Sequence, residues 1–129
     1  MIAVDTNVLV RLLTEDDPDQ AKRVDRLFGE NEIFIPKTVM LETEWVLRHA
    51  YGIDRKGILG AFQRLMGLSN VKMEDHQTMS AAVAWYGKEF DFADALDLAS
   101  SRAAEGFATF DKSLLRKAGQ VSSVKLFTP

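Results

Sequence analysis

The chain of 129 residues contains no cysteine, two histidines and three prolines. Without cysteine, a disulfide framework, a thiolate metal site and a thiol nucleophile are all excluded, and nothing indicates an oxidising compartment. The sequence also lacks an apolar run of the roughly 20 residues that a membrane helix needs, and its start has neither the basic flank nor the cleavage site of a signal peptide. We therefore expect a cytoplasmic protein with no membrane partner.

What is present fits a globular protein. Apolar residues make up 47% and charged residues 27% of the chain, which predicts one domain, over residues 1–129, with a core of its own. The net charge of −3, from 19 acidic and 16 basic residues, taken alone argues against a nucleic-acid partner. If four carboxylates hold divalent cations, however, the remaining 15 acidic and 16 basic residues nearly balance. Overall charge therefore does not decide the partner.

Short apolar segments alternate with helical patterns along the chain. Predicted strands cover residues 2–4, 33–35, 71–73, 107–110 and 124–127. Predicted helices cover about residues 6–13, 18–28, 38–50, 77–89, 92–105 and 112–117, and one more is capped by Asp54. Asp17 and Thr38 are the predicted caps of the second and third helices. Alternating strands and helices predict an α/β fold with a parallel sheet covered on both sides.

Two acidic residues stand where a strand passes into a helix. Asp5 follows the apolar run of residues 2–4, and Asp111 follows residues 107–110. In an open parallel sheet, ligands bind beyond the carboxyl ends of the strands. If these two strands are adjacent, the carboxylates lie about 5 Å apart, and a divalent cation would relieve their repulsion. The alternative is that each Asp only caps the following helix.

The helix over residues 38–50 carries two glutamates with different predicted roles. At 100° per residue, Glu42 falls between Trp45 and Val46 on the apolar side, where a carboxylate is costly unless it is paired or bound to a metal. Glu42 is therefore a site candidate, or else an exposed acid at the edge of the apolar stripe. Glu44 precedes Arg48 by four residues, which predicts a surface salt bridge.

A cluster of aspartates opens the helix over residues 92–105. Asp94 and Asp97 share the face opposite the predicted buried side, which consists of Phe92, Ala95, Leu96, Ala99 and Ala103. Asp91 is a predicted N-cap, and an acid in the first turn is also favoured by the helix dipole. Periodicity does not choose between these two acids, but Asp94 lies nearer the helix start, and so nearer the expected crevice, and is preferred.

The remaining chemistry-bearing side chains have mainly structural interpretations. Trp45, Trp85 and Tyr86 could stack on nucleobases, but aromatic residues at helical spacing are more often core residues. His49 and His76 are too far apart in sequence to form a spaced metal-binding pair, and we expect surface or capping roles for both.

Four segments together resemble the PIN-domain nucleases, specifically the VapC-type toxins. They are Val4-Asp5-Thr6-Asn7-Val8-Leu9, Leu41-Glu42, Asp91-Phe92-Ala93-Asp94-Ala95-Leu96 and Thr109-Phe110-Asp111. The resemblance implies a three-layer α/β/α fold with a short central parallel sheet of four to five strands. It implies that Asp5, Glu42, Asp94 and Asp111 are the catalytic, metal-binding acids. The residues implied to support them are Thr6, Asn7, Thr109 and Asp97.

The resemblance further implies a Mg²⁺-dependent endoribonuclease, with Mn²⁺ as the other ion, that is the toxin of a type II toxin–antitoxin pair. A VapB-like antitoxin and a homodimer are the implied protein partners. Carboxylate oxygens suit such hard ions, whereas zinc normally recruits Cys or His. RNA contacts are hypothesised for Arg11, Lys112 and Arg116, which are otherwise ordinary solvated helix residues.

Three other functions are compatible with the sequence. One is a non-toxin PIN-domain nuclease in RNA maturation or on structured DNA. Another is a phosphoryl-transfer or receiver domain. Against it, the acidic pair that receivers carry does not follow the first strand, and Asn7 stands where haloacid-type phosphatases have a second Asp, two residues after the first. The last is a binding module in which the acids serve only as helix caps.

Overall fold

Helices and short parallel strands alternate along the chain in the computed structural model, which describes residues 1–119 and 123–129. The strands are β1 (Ile2–Ala3), β2 (Ile33–Ile35), β3 (Val71–Met73), β4 (Phe107–Ala108) and β5 (Leu126–Phe127). The helices are α1 (Thr6–Thr14), α2 (Pro18–Glu30), α3 (Lys37–His49), α4 (Arg55–Met66), α5 (His76–Tyr86), α6 (Phe92–Ser100) and α7 (Lys112–Ala118). The predicted α/β fold with parallel strands is confirmed.

Chain contacts group the residues into two compact units, Met1–His76 and Gln77–Pro129. The first contains β1 to β3 and α1 to α4, and the second contains nearly all of α5 and the elements that follow it. Whether the two act as the single domain predicted from the chain length stays a prediction.

The first unit is built on a three-stranded parallel sheet in which β2 lies between β1 and β3. Ile33 of β2 is in register with Ile2 on one side and Val71 on the other. In the second unit β4 and β5 form a separate parallel pair. The predicted sheet of four to five strands therefore has three strands here. Ile2 and Ala3 of β1 are exposed rather than buried as predicted.

Each unit has its own apolar core. In the first unit, fully buried side chains come from the sheet and from α1, α3 and α4: Leu9, Ile33, Ile35, Met40, Ile58 and Phe62. In the second, Tyr86 and Phe92 pack edge to face with ring centres 5.3 Å apart, beside Met79 and Leu98. Burying a side chain of this size contributes about 1.5–3 kcal/mol, so these contacts hold the helices in place.

For α2, α3 and α4 of the first unit, the predicted cap is correct in two of three cases. Asp17 accepts a hydrogen bond from the Gln20 amide (3.1 Å) at the start of α2, and Asp54 accepts one from the Gly57 amide (2.8 Å) at the start of α4. Thr38 was the wrong cap for α3. That helix begins at Lys37. The Lys37 amide donates to the carboxylate of Glu74 (2.9 Å), the residue that follows β3. A cap supplied from 37 residues away leaves no local sequence signal.

The predicted buried face of α3 is also wrong. The buried residues are Val39, Met40, Thr43, Glu44 and Leu47, whereas Glu42 and Trp45 are exposed. The true stripe is centred one position away from the predicted one and includes a carboxylate. Glu44 pairs with Arg48 as predicted (2.8 Å), but its side chain is only 3% exposed, so this is not a surface salt bridge.

The aspartate-rich helix α6 ends at Ser100 rather than near residue 105. The Ser101 hydroxyl donates to the Asp97 carbonyl (2.7 Å), and Arg102 Nε donates to the Ala99 carbonyl (3.0 Å). These side chains satisfy carbonyls that the helix leaves open at its end. Ala103 accordingly lies outside the helix and is exposed, contrary to the prediction.

Among the helices of residues 1–119 and 123–129, none is long and apolar enough to cross a membrane.

The pair Arg48–Glu44 can be compared with a matched pair in the same unit. Arg26–Glu30 has the same spacing of four residues, but its side chains are 78% and 67% exposed. We expect Arg48→Ala to lower the free energy of unfolding by about 1.5–3 kcal/mol, because it removes hydrogen bonds to a buried carboxylate. Arg26→Ala should cost less than about 0.5 kcal/mol. Urea unfolding measures the free energy of unfolding of both variants. Equal losses would contradict the conclusion that burial of Glu44 makes its pair with Arg48 the stronger one.

Candidate functional site

Asp5 stands between the end of β1 and the start of α1, as predicted. Its backbone is extended (φ −87°, ψ 165°), and its side chain accepts a hydrogen bond from the Thr6 amide (2.7 Å), so it is the N-cap of α1. Asp5 therefore does cap α1, as one of its two interpretations predicts. A carboxylate has several acceptor positions on its two oxygens, so one amide bond does not exhaust it.

The next residue, Thr6, has a side chain that capping does not explain. It is 8% exposed, and its hydroxyl oxygen has no hydrogen-bond partner among the described residues. Leaving a buried hydroxyl without a partner costs about 1–3 kcal/mol. An oxygen at this position would be satisfied by a bound water, an ion or another polar ligand in the adjoining space.

That space is a cavity of about 370 Å³ within the first unit. Asp5 and Glu42 both line it, which brings together two of the four predicted metal-binding acids. The other lining residues are Thr6, Asn7, Val10, Arg11, Val46 and Tyr51. Glu42 is exposed on α3, which agrees with the second of its two interpretations, and it also lines this cavity.

Arg11 and Tyr51 form the polar edge of this cavity. Arg11 donates from Nε to Gln20 (2.6 Å) and from Nη1 to Asp16 (2.7 Å), and the Tyr51 hydroxyl donates to the other oxygen of Asp16 (2.8 Å). The Tyr51 hydroxyl, with help from Thr14 and Arg11, holds the pKa of Asp16 below its usual value. Arg11 is thus fixed by protein partners, and its predicted RNA contact would use the rest of its guanidinium.

A second cavity of about 550 Å³ lies between α1 and α2 and shares Asn7 and Arg11 with the first. Its walls are mostly apolar, and Arg23 adds a further positive charge. The remaining lining residues are Val8, Gln20, Val24 and Leu27.

The second unit holds the other predicted acids, around the start of α6. Asp91 is the N-cap, as predicted, and accepts a hydrogen bond from the Asp94 amide (3.2 Å). Partial burial raises the pKa of Asp94, and the negative charges of Asp91, Asp111 and Asp97 raise it further, while Lys117 opposes them. Burial, followed by the charge of Asp91, also raises the pKa of Asp97. The charge of Asp111 is thus felt at Asp94, and whether the two share a metal site stays a prediction.

Asp111 is placed by a local network at the end of β4. Its side chain accepts from the Leu114 amide (3.1 Å), which makes it the N-cap of α7, and its own amide donates to the Thr109 hydroxyl (3.0 Å). Thr109 thus holds the backbone of Asp111, and its predicted role in supporting a metal-binding acid stays a prediction. Lys112 and Arg116 are exposed on α7, in agreement with either interpretation given to them.

The predicted roles of the histidines and aromatic residues have mixed outcomes. His49 and His76 are exposed, as expected. Tyr86 is buried and Trp85 is partly buried, but Trp45 is 57% exposed and is not a core residue. Tyr51 was not predicted at the site, and only its position just before Gly52, after the end of α3, could have drawn attention to it.

Within either unit of the described chain, no group of three or more acidic or histidine side chains could hold a metal ion. The first unit offers Asp5 with Glu42, and the second offers Asp94 with Asp111. These donors nevertheless fit a hard divalent cation, because carboxylates, a hydroxyl without a partner and water are the ligands that such ions prefer.

The chain matches the model of the PIN domain family over residues 2–120. It therefore belongs to the PIN domain family, whose members are generally metal-dependent nucleases that use divalent ions. No curated protein matches the chain.

Asp94 gives a test based on pH. Because folding raises the pKa of its carboxyl group, the ionised form is less favourable in the folded protein than in the unfolded chain. Asp94→Asn should therefore increase the free energy of unfolding at pH 7 in a chelator. The gain should shrink as the pH falls through the raised pKa and vanish below the ordinary value of about 4.

Urea unfolding of the wild-type chain and the variant, at pH 7 and at a pH below about 4, measures the change in the free energy of unfolding. Asp25→Asn, on the exposed side of α2, is the matched control and should give no such gain. A loss of stability at pH 7 from Asp94→Asn would contradict the assigned environment.

Proposed function

We propose that the chain is a Mg²⁺-dependent endoribonuclease that hydrolyses RNA phosphodiester bonds and acts as the toxin of a type II toxin–antitoxin pair. Membership of the PIN family supports nuclease chemistry. The observation that carries the proposal is the cavity at the start of α1, where Asp5 and Glu42 adjoin the buried Thr6 hydroxyl that has no partner among the described residues. A binding module with acids serving only as caps would not need Glu42 beside Asp5.

Asp5, Glu42, Asp94 and Asp111 are the proposed metal-binding and catalytic residues. When bound, Mg²⁺ would lower the pKa of a coordinated water for attack on phosphorus and stabilise the departing oxygen. The chain would supply oxygen ligands only, which favours Mg²⁺ or Mn²⁺ over zinc.

Helix capping prepares two of these acids for ligand binding. Asp5 and Asp111 each use an oxygen to accept a backbone amide of the helix that follows. The Asp94 amide is itself held by Asp91. The bonds of Asp5 and Asp111 fix these two carboxylates before any ligand arrives, so less conformational entropy is lost on binding. Asn7 and Asp97 are the proposed neighbouring supports.

The protein partners follow from the same proposal. Lys112 and Arg116 on α7, with Arg11, would contact RNA phosphates. Phe110 directly precedes Asp111 and is 77% exposed, and a large exposed apolar side chain beside an acidic site suits a covering protein. We assign that role to a VapB-like antitoxin, and we propose that the chain forms a homodimer.

Cleavage of RNA tests the enzymatic part. The purified chain should cut a labelled RNA in Mg²⁺ and not in excess chelator, with activity restored by added Mg²⁺. Asp94→Asn keeps the shape of the side chain and removes its charge, so cleavage should fall by about 100-fold or more. Asp25→Asn is the matched control and should cleave normally. Unchanged cleavage by the Asp94 variant would rule out its assignment, and cutting of structured DNA alone would favour a non-toxin nuclease.

Growth of bacteria that express the chain tests the toxin part. Wild-type expression should arrest growth, because an unrestrained ribonuclease depletes essential RNA. Asp94→Asn at the same expression level should allow normal growth. Normal growth with fully active, soluble wild-type enzyme would contradict the toxin role while leaving the nuclease assignment intact.

A further inference from the structure

Trp45 is a large aromatic side chain in an unusual position on α3. It is 57% exposed, although its helix buries Thr43, Glu44 and Leu47 on the other side. Its indole ring packs on the His49 ring one turn later, with centres 4.7 Å apart and planes at 40°. The two rings therefore form an aromatic surface that is ordered before any ligand arrives. We call this pair of side chains the α3 aromatic pair.

The α3 aromatic pair lies next to the cavity that contains the proposed metal ligands. Glu42 precedes Trp45 by three residues, a spacing that puts their Cβ atoms about 5–6 Å apart on a helix surface. Val46, the residue after Trp45, lines the same cavity as Asp5 and Glu42. Trp45 therefore lies beside two residues of its own helix that line this cavity, Glu42 and Val46.

The surroundings of Trp45 do not resemble the centre of a protein interface. Its helical neighbours at spacings of three and four residues are Leu41, Glu42, Arg48 and His49, of which Leu41 alone is apolar and is partly buried. The other large exposed apolar side chains described in the first unit are Met1, Ile2 and Leu68, which lie on other elements. A stable interface buries about 800 Å² per partner. A single indole with polar neighbours suits a flat aromatic ligand better.

We propose that the α3 aromatic pair is a stacking site for a nucleobase of single-stranded RNA whose phosphate occupies the Asp5–Glu42 cavity. This inference rests on the proposed ribonuclease function and adds how the substrate is recognised. Aromatic side chains accept any base, because every base has a π face, and each stack contributes about 1–3 kcal/mol. Trp45 would thus favour unpaired RNA, whose bases are free to stack, over duplexes.

Binding of two matched RNA probes tests the proposal. One is a short unstructured RNA, and the other has the same backbone charge with its bases replaced by abasic sites. Both are measured in Mg²⁺ on an Asp94→Asn background, so that the RNA stays intact. The chain should bind the intact RNA about 5- to 150-fold more tightly than the abasic probe. Trp45→Ala should remove most of this preference, whereas Trp45→Phe should retain much of it.

Fluorescence gives an independent measurement with Trp45 unchanged. The chain has two tryptophans, so Trp85→Phe leaves Trp45 as the only one. Its emission should be quenched by the intact RNA and not by the abasic probe. His49→Ala should weaken the preference for intact RNA, because it removes the ring on which Trp45 packs.

Three outcomes separate the possibilities. An unchanged preference in Trp45→Ala, with normal cleavage by the wild-type chain, would overturn the stacking site and leave the proposed function intact. Emission of Trp45 that changes with protein concentration and not with RNA would instead assign this surface to a second copy. A preference that depends on Trp45, together with a wild-type chain that cuts no RNA in Mg²⁺, would support the stacking site and refute the ribonuclease.

Discussion

The end of β1 imposes the constraint on which the first unit depends. The strand is followed directly by a helix, and the first amides of a helix have no hydrogen-bond partners within it. The Asp5 carboxylate accepts a hydrogen bond from one of them, the Thr6 amide. The same turn buries Thr6 beside the cavity without a hydrogen-bond partner for its hydroxyl among the described residues. Glu42 of α3 lines the same cavity. The turn that caps α1 therefore also forms a polar cavity beside the Thr6 hydroxyl.

Capping and ligand binding are not exclusive roles for these acids. Asp91 and Asp111 repeat the device in the second unit, where each accepts an amide at the start of a helix. Partial burial raises the pKa of Asp94, and the negative charge that accumulates around it raises this pKa further. In this chain the backbone already stabilises the carboxylates of Asp5 and Asp111, and the repulsion around Asp94 is what a divalent cation would relieve.

Much of the fold could be predicted from local signals, whereas the faces of α3 could not. Three caps bond amides only three residues further along the chain, so the local sequence predicts them: Asp17, Asp54 and Asp91. The start of α3 depends on Glu74, which is distant in sequence, and its buried side includes Glu44 because Arg48 neutralises that carboxylate. Periodicity counts apolar residues, so it places a buried ion pair on the surface and an exposed tryptophan in the core.

Arg11 belongs to the walls of both cavities of the first unit, and its guanidinium is already bonded to Asp16, Gln20 and Tyr51. An anion that drew it toward one cavity would have to compete with those three partners, which come from different loops and helices. The two spaces are therefore linked through one shared cation. Occupancy of one would alter the electrostatic environment of the other without any movement of the backbone.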